Sequence, residues 1–401
     1  MRLFRHLSFV SISLGHFAVD SLNSLVPILL AVLSTPLGLA NTLIGLVSTL
    51  YSLAAALPQP IFGWTSDRFG PKWTTAAGVL WIALVYSLVP WVRGRWVLVA
   101  LVFAAVGSGA FHPSGVSKAS EDGSWYLAGR AATAAALFFL FGQAGTAIGP
   151  ALGGFLIDRL GLPAVLAFTA LGLAVGALSA GGSSWERGAR SPREALPKDQ
   201  EDPSLGRLSR GGFLVLLSLA ALRYWAQLST QTFTPKFFKD LGYSPSLFGL
   251  ITGTFMAGEV LGGILGGVLG DRWGNRKIVV LSFALGVVPF YLFPIARGLP
   301  LLGLIALAGA FNGAPHSILV TMAQKSLPGR SGLASGMTLG FMFASGAVGV
   351  FFSGLLADRI GLARVLQGNA WLAFGALLVA LVAYRREGSR FASTLVCTVS
   401  Y

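Results

Sequence analysis

Gly63–Lys72 reads GWTSDRFGPK, and its kernel, G-x-x-x-D-R-x-G, occurs four times in the chain. The other copies are Gly154–Gly161 (GFLIDRLG), Gly267–Gly274 (GVLGDRWG) and Gly354–Gly361 (GLLADRIG). Each copy closes a long apolar segment. Four recurrences of the same residues at one spacing mark an internal repeat. Gly63 to Gly267 is a shift of 204, and Gly154 to Gly354 is a shift of 200. At the second shift, Gly129–Gly161 aligns with Gly329–Gly361 without a gap. The chain therefore consists of two similar halves, each carrying the kernel twice. Two six-helix halves, each an inverted three-plus-three repeat, leave this trace.

The kernel has a local physical reading. Its last glycine can take a left-handed conformation and stop a helix. Its arginine suits a helix C-terminus, where the macrodipole is negative, and its aspartate does not. An acid placed there repeatedly needs a partner, either an arginine or the positive N-terminus of a neighbouring helix. The fourfold recurrence favours a gate or clamp over a charged turn that only fixes topology.

The composition agrees with a membrane protein. Of 401 residues, 54% are hydrophobic and only 11% charged, with a mean hydropathy of +0.72. Soluble domains carry about a quarter charged residues. Twelve apolar segments are long enough to span: 8–33, 42–64, 73–91, 96–117, 130–157, 162–180, 211–237, 246–269, 277–296, 299–322, 331–357 and 362–384. The expected fold is all-α and polytopic, with twelve transmembrane helices in two pseudo-symmetric six-helix bundles. The bundles are 1–180 and 211–384, joined by a polar cytoplasmic linker at 181–210 and followed by a tail at 385–401. The basic start, with Arg2 and Arg5, leads into a retained first span, because no clean cleavage site follows and Asp20 lies within it.

Orientation follows from the basic residues. With the N-terminus inside, 20 of the 29 Lys and Arg fall on inner segments and 8 on outer loops, with Arg223 inside a span. Both termini are expected in the cytoplasm, in the inner (plasma) membrane. The net charge of +14 is thus a topology signal, and a nucleic-acid role is not expected. The one cysteine, Cys397, excludes an internal disulfide and a Cys-based metal site. No Walker A motif and no metal-ligand spacing occurs, so neither an enzyme nor a metal centre is expected.

Polar groups inside a membrane are costly and functional by default. Asp20 in span one and Glu259 in span eight are the two deep acids, and Arg223 in span seven is the deep Lys/Arg-type base. His16, Asp20, Asn23 and Ser24 form one stripe on span one, and Arg223, Gln227 and Gln231 form another on span seven. Asn312 and His316 lie one turn apart on span ten. Asp20 is the expected proton carrier, with His16 one turn away to relay or bias the proton, and His112, set within its own motif, is assigned to the same coupling. Glu259 is either a second carrier or a structural partner. Arg223 is either an anion site, the favoured reading, or a permanent ion-pair partner of Asp20 or Glu259. Asn23, Gln227, Gln231, Asn312 and His316 are candidate substrate contacts, or hydrogen bonds that hold the bundle together.

Twelve spans, a six-plus-six layout, a long central loop and GWTSDRFGPK after span two resemble the major facilitator superfamily, over essentially the whole chain. The resemblance implies that Gly63, Asp67, Arg68, Gly70 and Lys72 hold one half against the other, with Asp271, Arg272, Arg276 and Lys277 opposite. It also implies that spans one, four, seven and ten line the cavity. Gly145–Gly154, GTAIGPALGG, resembles the antiporter motif of drug exporters through Gly145, Gly149, Pro150, Gly153 and Gly154. Ser345–Gly354 (SGAVGVFFSG), its counterpart, lacks the proline. GHFAVD at Gly15–Asp20 and AFHPSG at Ala110–Gly115 resemble the fosmidomycin-resistance proteins, though Ser114 stands where those typically carry an acid.

The resulting expectation is a monomeric, proton-coupled antiporter that exports a small organic compound, anionic as the phosphonate fosmidomycin is, by alternating access. It uses no cofactor beyond the proton gradient. Proton-linked or facilitated uptake of a small anion, and a membrane sensor on a transporter scaffold, are the alternatives.

Overall fold

The computed structural model describes residues 3–127, 130–181, 210–326 and 331–397, with backbone alone at 131–132, 210–211, 324–326, 331–339 and 385–397. The expected linker, apart from its first and last residues, and the last four residues of the tail lie outside the described residues.

Fourteen α-helices are described, and no strand. They are α1 (Leu7–Ser34), α2 (Asn41–Ala56), α3 (Gln59–Phe69), α4 (Pro71–Ser87), α5 (Trp96–Tyr126), α6 (Ala131–Leu160) and α7 (Val165–Gly181). After the linker come α8 (Arg210–Asp240), α9 (Pro245–Trp273), α10 (Asn275–Leu292), α11 (Gly298–Gly313), α12 (Pro315–Ser326), α13 (Ser331–Ile360) and α14 (Leu362–Cys397). Eleven spans among the described residues have the length and apolar character to cross a membrane, with α2–α3 and α11–α12 each counted as one. At 17 residues, α4 is at the lower limit of a spanning helix and supplies the twelfth.

Two expected spans are therefore broken. The 42–64 span breaks before Pro58 and the 299–322 span before Pro315, because proline lacks the N–H that would continue the ladder. The fourth span runs on to Tyr126 rather than ending at 117. The tail expected from 385 continues α14 as helix to Cys397, since a helix needs no apolar face where its backbone bonds are made internally.

All four kernel glycines have positive φ: Gly70 (86°), Gly161 (69°), Gly274 (94°) and Gly361 (88°). The expected left-handed stop is only half correct. At Gly70, Gly161 and Gly274, ψ is 148°, −162° and 132°, an extended form that only glycine tolerates. The chain is thrown out of one helix and directly into the next.

Contacts divide the chain into two compact units that cut across the repeat. The first is Met1–Leu196 with Gln231–Ala257 and Val350–Arg359. The second is Pro197–Thr230 with Gly258–Gly349 and Ile360–Tyr401. In the first unit α1 is buried on nearly every side, as an all-round apolar helix should be. It packs against α5, α6 and α7. In the second unit Leu219, Tyr224, Phe283, Leu319 and Met342 form the core. Outward faces carry large apolar side chains such as Leu57, Trp91, Trp96, Leu299 and Trp371, as a lipid-facing surface does.

Glycine stripes set the helix spacing. A side chain at Gly145, Gly149 or Gly153 would overlap Phe17, Ser21, Ser24 or Leu25, so these three seat α6 on α1. In the second unit Gly258, Gly262 and Gly266 seat α9 against Ala306, Ala310 and Ala314. The antiporter-like motif therefore packs helices. Its counterpart does the same through Gly346 and Gly349 against α8, and α6 passes through Pro150 unbroken.

Candidate functional site

In the first unit, His16 and Asp20 on α1 meet His112 on α5. His16 Nε2 lies 3.2 Å from Asp20 Oδ2, and His112 Nε2 lies 3.2 Å from Asp20 Oδ1. His16 is 2% exposed, Asp20 15% and His112 26%. Both rings are anchored through their other nitrogen, His16 Nδ1 to the Phe138 carbonyl and His112 Nδ1 to the Ser108 carbonyl, each at 2.8 Å. A carbonyl oxygen only accepts, so each Nδ1 carries a hydrogen. Each Nε2 then presents a lone pair to a carboxylate oxygen unless a proton or another cation sits between them. With Asp20 ionised, the contacts are attractive when both imidazoles are charged.

The surroundings hold this arrangement in place. His16 stacks on Phe138 with centroids 4.1 Å apart and meets His112 edge-on at 5.1 Å. A side chain at Gly142 of α6 would collide with the His16 ring. Asn23 donates to Asp20 Oδ1 at 3.1 Å and to Ser108 Oγ at 3.0 Å, and Tyr51 donates to Asn23 Oδ1 at 2.6 Å. Tyr51 in turn lies 3.3 Å from the buried Tyr86 hydroxyl. Asn23 is thus a bracket for Asp20. Ser24 turns away to bond Ser21 and faces Gly149. The sequence flagged His16, Asp20 and His112 separately but not Ser108, Phe138, Gly142, Tyr51 or Tyr86. The only signal for these was their place on helices that approach α1.

The second unit holds Arg223 and Glu259. Arg223 on α8 donates Nε–H to the Asn312 carbonyl, and Asn312 Nδ2 donates to Glu259 Oε1 at 2.8 Å. Arg223 Nη2 lies 4.0 Å from Glu259 Oε1, and the guanidinium covers the Tyr224 ring at 4.9 Å. Arg223 and Glu259 are 3% and 8% exposed. Of the two partners considered for Arg223, Glu259 is the one beside it, and Asn312 links the two. Arg223 Nη1 is buried without a hydrogen-bond partner, as are His316 Nδ1 and Gln227 Oε1. Gln231 is half-buried and belongs to the first unit.

The kernel acids split into two pairs. Asp67 and Asp271 are exposed and make no hydrogen bond or ion pair among the described residues. Their neighbours lie over aromatic rings instead: Arg68 over Trp64 and Phe69, Lys72 over Trp73 and Arg276 over Tyr384. Arg272 and Lys277 are exposed.

Asp158 and Asp358 are engaged, all within the first unit. Asp358 accepts from the Asn41 N–H (2.8 Å), Asn41 Nδ2 (2.9 Å), the Thr42 N–H (2.8 Å) and Thr42 Oγ1 (2.6 Å), and so caps α2. Asp158 accepts from Ser246 Oγ at 2.6 Å at the start of α9. The two caps are repeat-related, because Thr42 and Ser246 are 204 apart and Asp158 and Asp358 are 200 apart. The packing beneath repeats too. Gly45 lies against the Val350 carbonyl and Gly249 against that of Pro150, while Gly354 lies against Asn41 and Gly154 against Pro245. Lys239 adds a tie to Ser34 Oγ (2.9 Å) and Thr35 Oγ1 (2.6 Å) at the end of α1. The kernel's acid does find a helix N-terminus, but at copies two and four.

A duplicated helical bundle with charged groups buried among its spans defines a polytopic membrane transporter. The model of the Major Facilitator Superfamily matches residues 12–244 and 211–393, and the chain belongs to that family. It is 28% identical over 373 residues to the fosmidomycin resistance protein of Escherichia coli K12, covering 90% of this chain and 89% of that one. It is 25% identical over 387 residues to the MFS-type transporter YfnC of Bacillus subtilis, with the same coverage. Among solved structures, a bacterial homologue of the human lysosomal transporter Spinster, inward-facing and occupied, superposes with a TM-score of 0.77 at 14% identity. That match covers 94% of this chain and 96% of that one. The D323A mutant of the nucleoside transporter NupG gives 0.74 at 14% identity, covering 93% and 99%. The chain is an integral membrane transporter of a small molecule, not an enzyme.

Proposed function

We propose that the chain is a proton-coupled antiporter of the inner membrane that exports a small organic anion by alternating access. The reading rests on the His16–Asp20–His112 cluster, whose nitrogen–oxygen contacts call for protons between them. A partly exposed carboxylate in contact with two imidazoles is a set of groups through which a proton can be passed. The Arg223 Nη1 donors, buried and unpartnered, favour an anionic substrate, which a guanidinium grips through parallel hydrogen bonds. The similarity to a fosmidomycin resistance protein supports the same chemistry. Glu259, held by Asn312 beside Arg223, is a structural partner in this reading rather than a second proton carrier. The kernel acids, engaged at Asp158 and Asp358 and exposed at Asp67 and Asp271, serve as gating residues in this reading. One chain forms the working unit, with both termini in the cytoplasm.

The test uses inverted membrane vesicles from cells lacking their own exporters, acid inside, offered a substrate panel led by fosmidomycin. Wild-type accumulation should collapse with a protonophore. Asp20→Asn should lower the gradient-driven part at least tenfold while the protein remains inserted. A variant with wild-type gradient dependence removes Asp20 from coupling. Accumulation of cationic compounds alone, or unchanged anion flux in Arg223→Gln, removes the anion assignment.

A further inference from the structure

We propose that the His16–Asp20–His112 cluster is also a binding site for a borderline divalent transition-metal ion of the Zn2+ type, which occupies it and stops transport. The inference goes beyond proton coupling and stands whether or not coupling is correct. Nothing in the linear spacing announces the site, since His112 comes from a different helix.

The donor set is two imidazole nitrogens and one carboxylate, which suits zinc, cobalt and nickel and not the oxygen-seeking calcium or magnesium. All donor atoms lie within 4.8 Å of one another. Two ligands about 2.1 Å from one ion at tetrahedral or right angles are about 3.0–3.4 Å apart. Each Nε2 already sits 3.2 Å from its Asp20 oxygen. An ion can therefore enter with small side-chain shifts.

The outer contacts are those of a metal-binding histidine. Such histidines donate their second ring N–H to a carbonyl or carboxylate, which fixes the tautomer and aims the lone pair. Both rings do this here, to Phe138 and Ser108. Asn23 orients the carboxylate, backed by Tyr51. Phe138 and Gly142 restrain the His16 ring. His112, the most exposed of the three, provides the side from which an ion arrives.

The ligand charges suit a divalent ion: one carboxylate and two neutral imidazoles leave a net charge of +1 with the ion bound. Beyond the three ligands, the groups that bond the cluster are neutral: Asn23, Ser108 and the Tyr51–Tyr86 hydroxyls.

The experiment uses the full chain, purified free of metal in lipid nanodiscs, with Co2+ as the probe. The wild type should bind one Co2+ per chain with a saturable visible absorption band that Zn2+ abolishes, and bind more tightly as pH rises. His112→Gln and Asp20→Asn should each weaken binding at least tenfold, and His6→Gln should leave it unchanged. Helical circular dichroism and a single size-exclusion peak identify variants that remain folded. His112→Gln is the safest variant, because that ring is the least buried of the three. A wild type without a saturable band overturns the proposal. So does a band that survives both His112→Gln and Asp20→Asn, or one lost in His6→Gln. Metal-free vesicles report coupling separately: a band without gradient-driven flux leaves this site standing and removes proton coupling, and the reverse pair of results removes only this site.

Discussion

Copies two and four of the kernel carry an aspartate bonded to a helix start, and copies one and three carry one with no such partner among the described residues. All four have the same Gly-x-x-x-Asp-Arg-x-Gly sequence and the same positive-φ glycine. The difference lies in what faces the acid. Asp358 meets the Asn41–Thr42 helix start and Asp158 meets Ser246, whereas Asp67 and Asp271 have no such partner among the described residues. The kernel is therefore half of a lock. Its other half is a helix N-terminus carrying a hydroxyl or amide side chain, whose free N–H groups and positive dipole end accept the acid.

The largest expected effect comes from breaking both bound copies. In Asp158→Ala/Asp358→Ala the amides of Asn41 and Thr42 should exchange hydrogen about fivefold faster, and the rate of substrate transport should fall. An N-cap contributes about 0.5–2 kcal/mol. Both carboxylates are exposed, so the lower part of that range applies to each. Exchange at wild-type rates would mean that the glycine packing beneath holds this end alone. A smaller effect is expected from Ser246→Ala, which removes one hydroxyl donor and should speed exchange at the start of α9 only a few-fold. Equal effects from Ser246→Ala and Asp158→Ala would place the whole contribution in the hydroxyl rather than in the charge. The smallest effect on stability is expected from Asp67→Asn, whose melting temperature should match wild type while its transport rate falls. A clear loss of stability would show that copy one is already engaged here.

The repeat and the span count were legible because the kernel recurs at two fixed shifts and each span is a long apolar run. The breaks before Pro58 and Pro315 were signalled by the prolines themselves, but hydropathy runs straight across them. Helix continuation past Tyr384 was hidden for the opposite reason: polarity ends a span without ending a helix. Asp20, His16 and His112 were each identifiable as costly intramembrane groups. The stripe placed His16 beside Asp20, but the arrival of His112 was not legible, because it depends on α5 and α6 closing on α1, with Gly15 against Phe111 and Gly142 against His16. Arg223 had two possible acids in the sequence, and only packing placed Asn312 and Glu259 beside it.

The contact of Gly142 with the His16 ring has a mechanical consequence. Further along the same helix, Gly145, Gly149 and Gly153 lie equally close to α1. Because Gly142 presses on the ring, a displacement of α6 along α1 would tilt the imidazole on its Phe138 carbonyl anchor and move Nε2 relative to the Asp20 oxygen. The position of one backbone and the geometry of a buried charge contact are thereby linked.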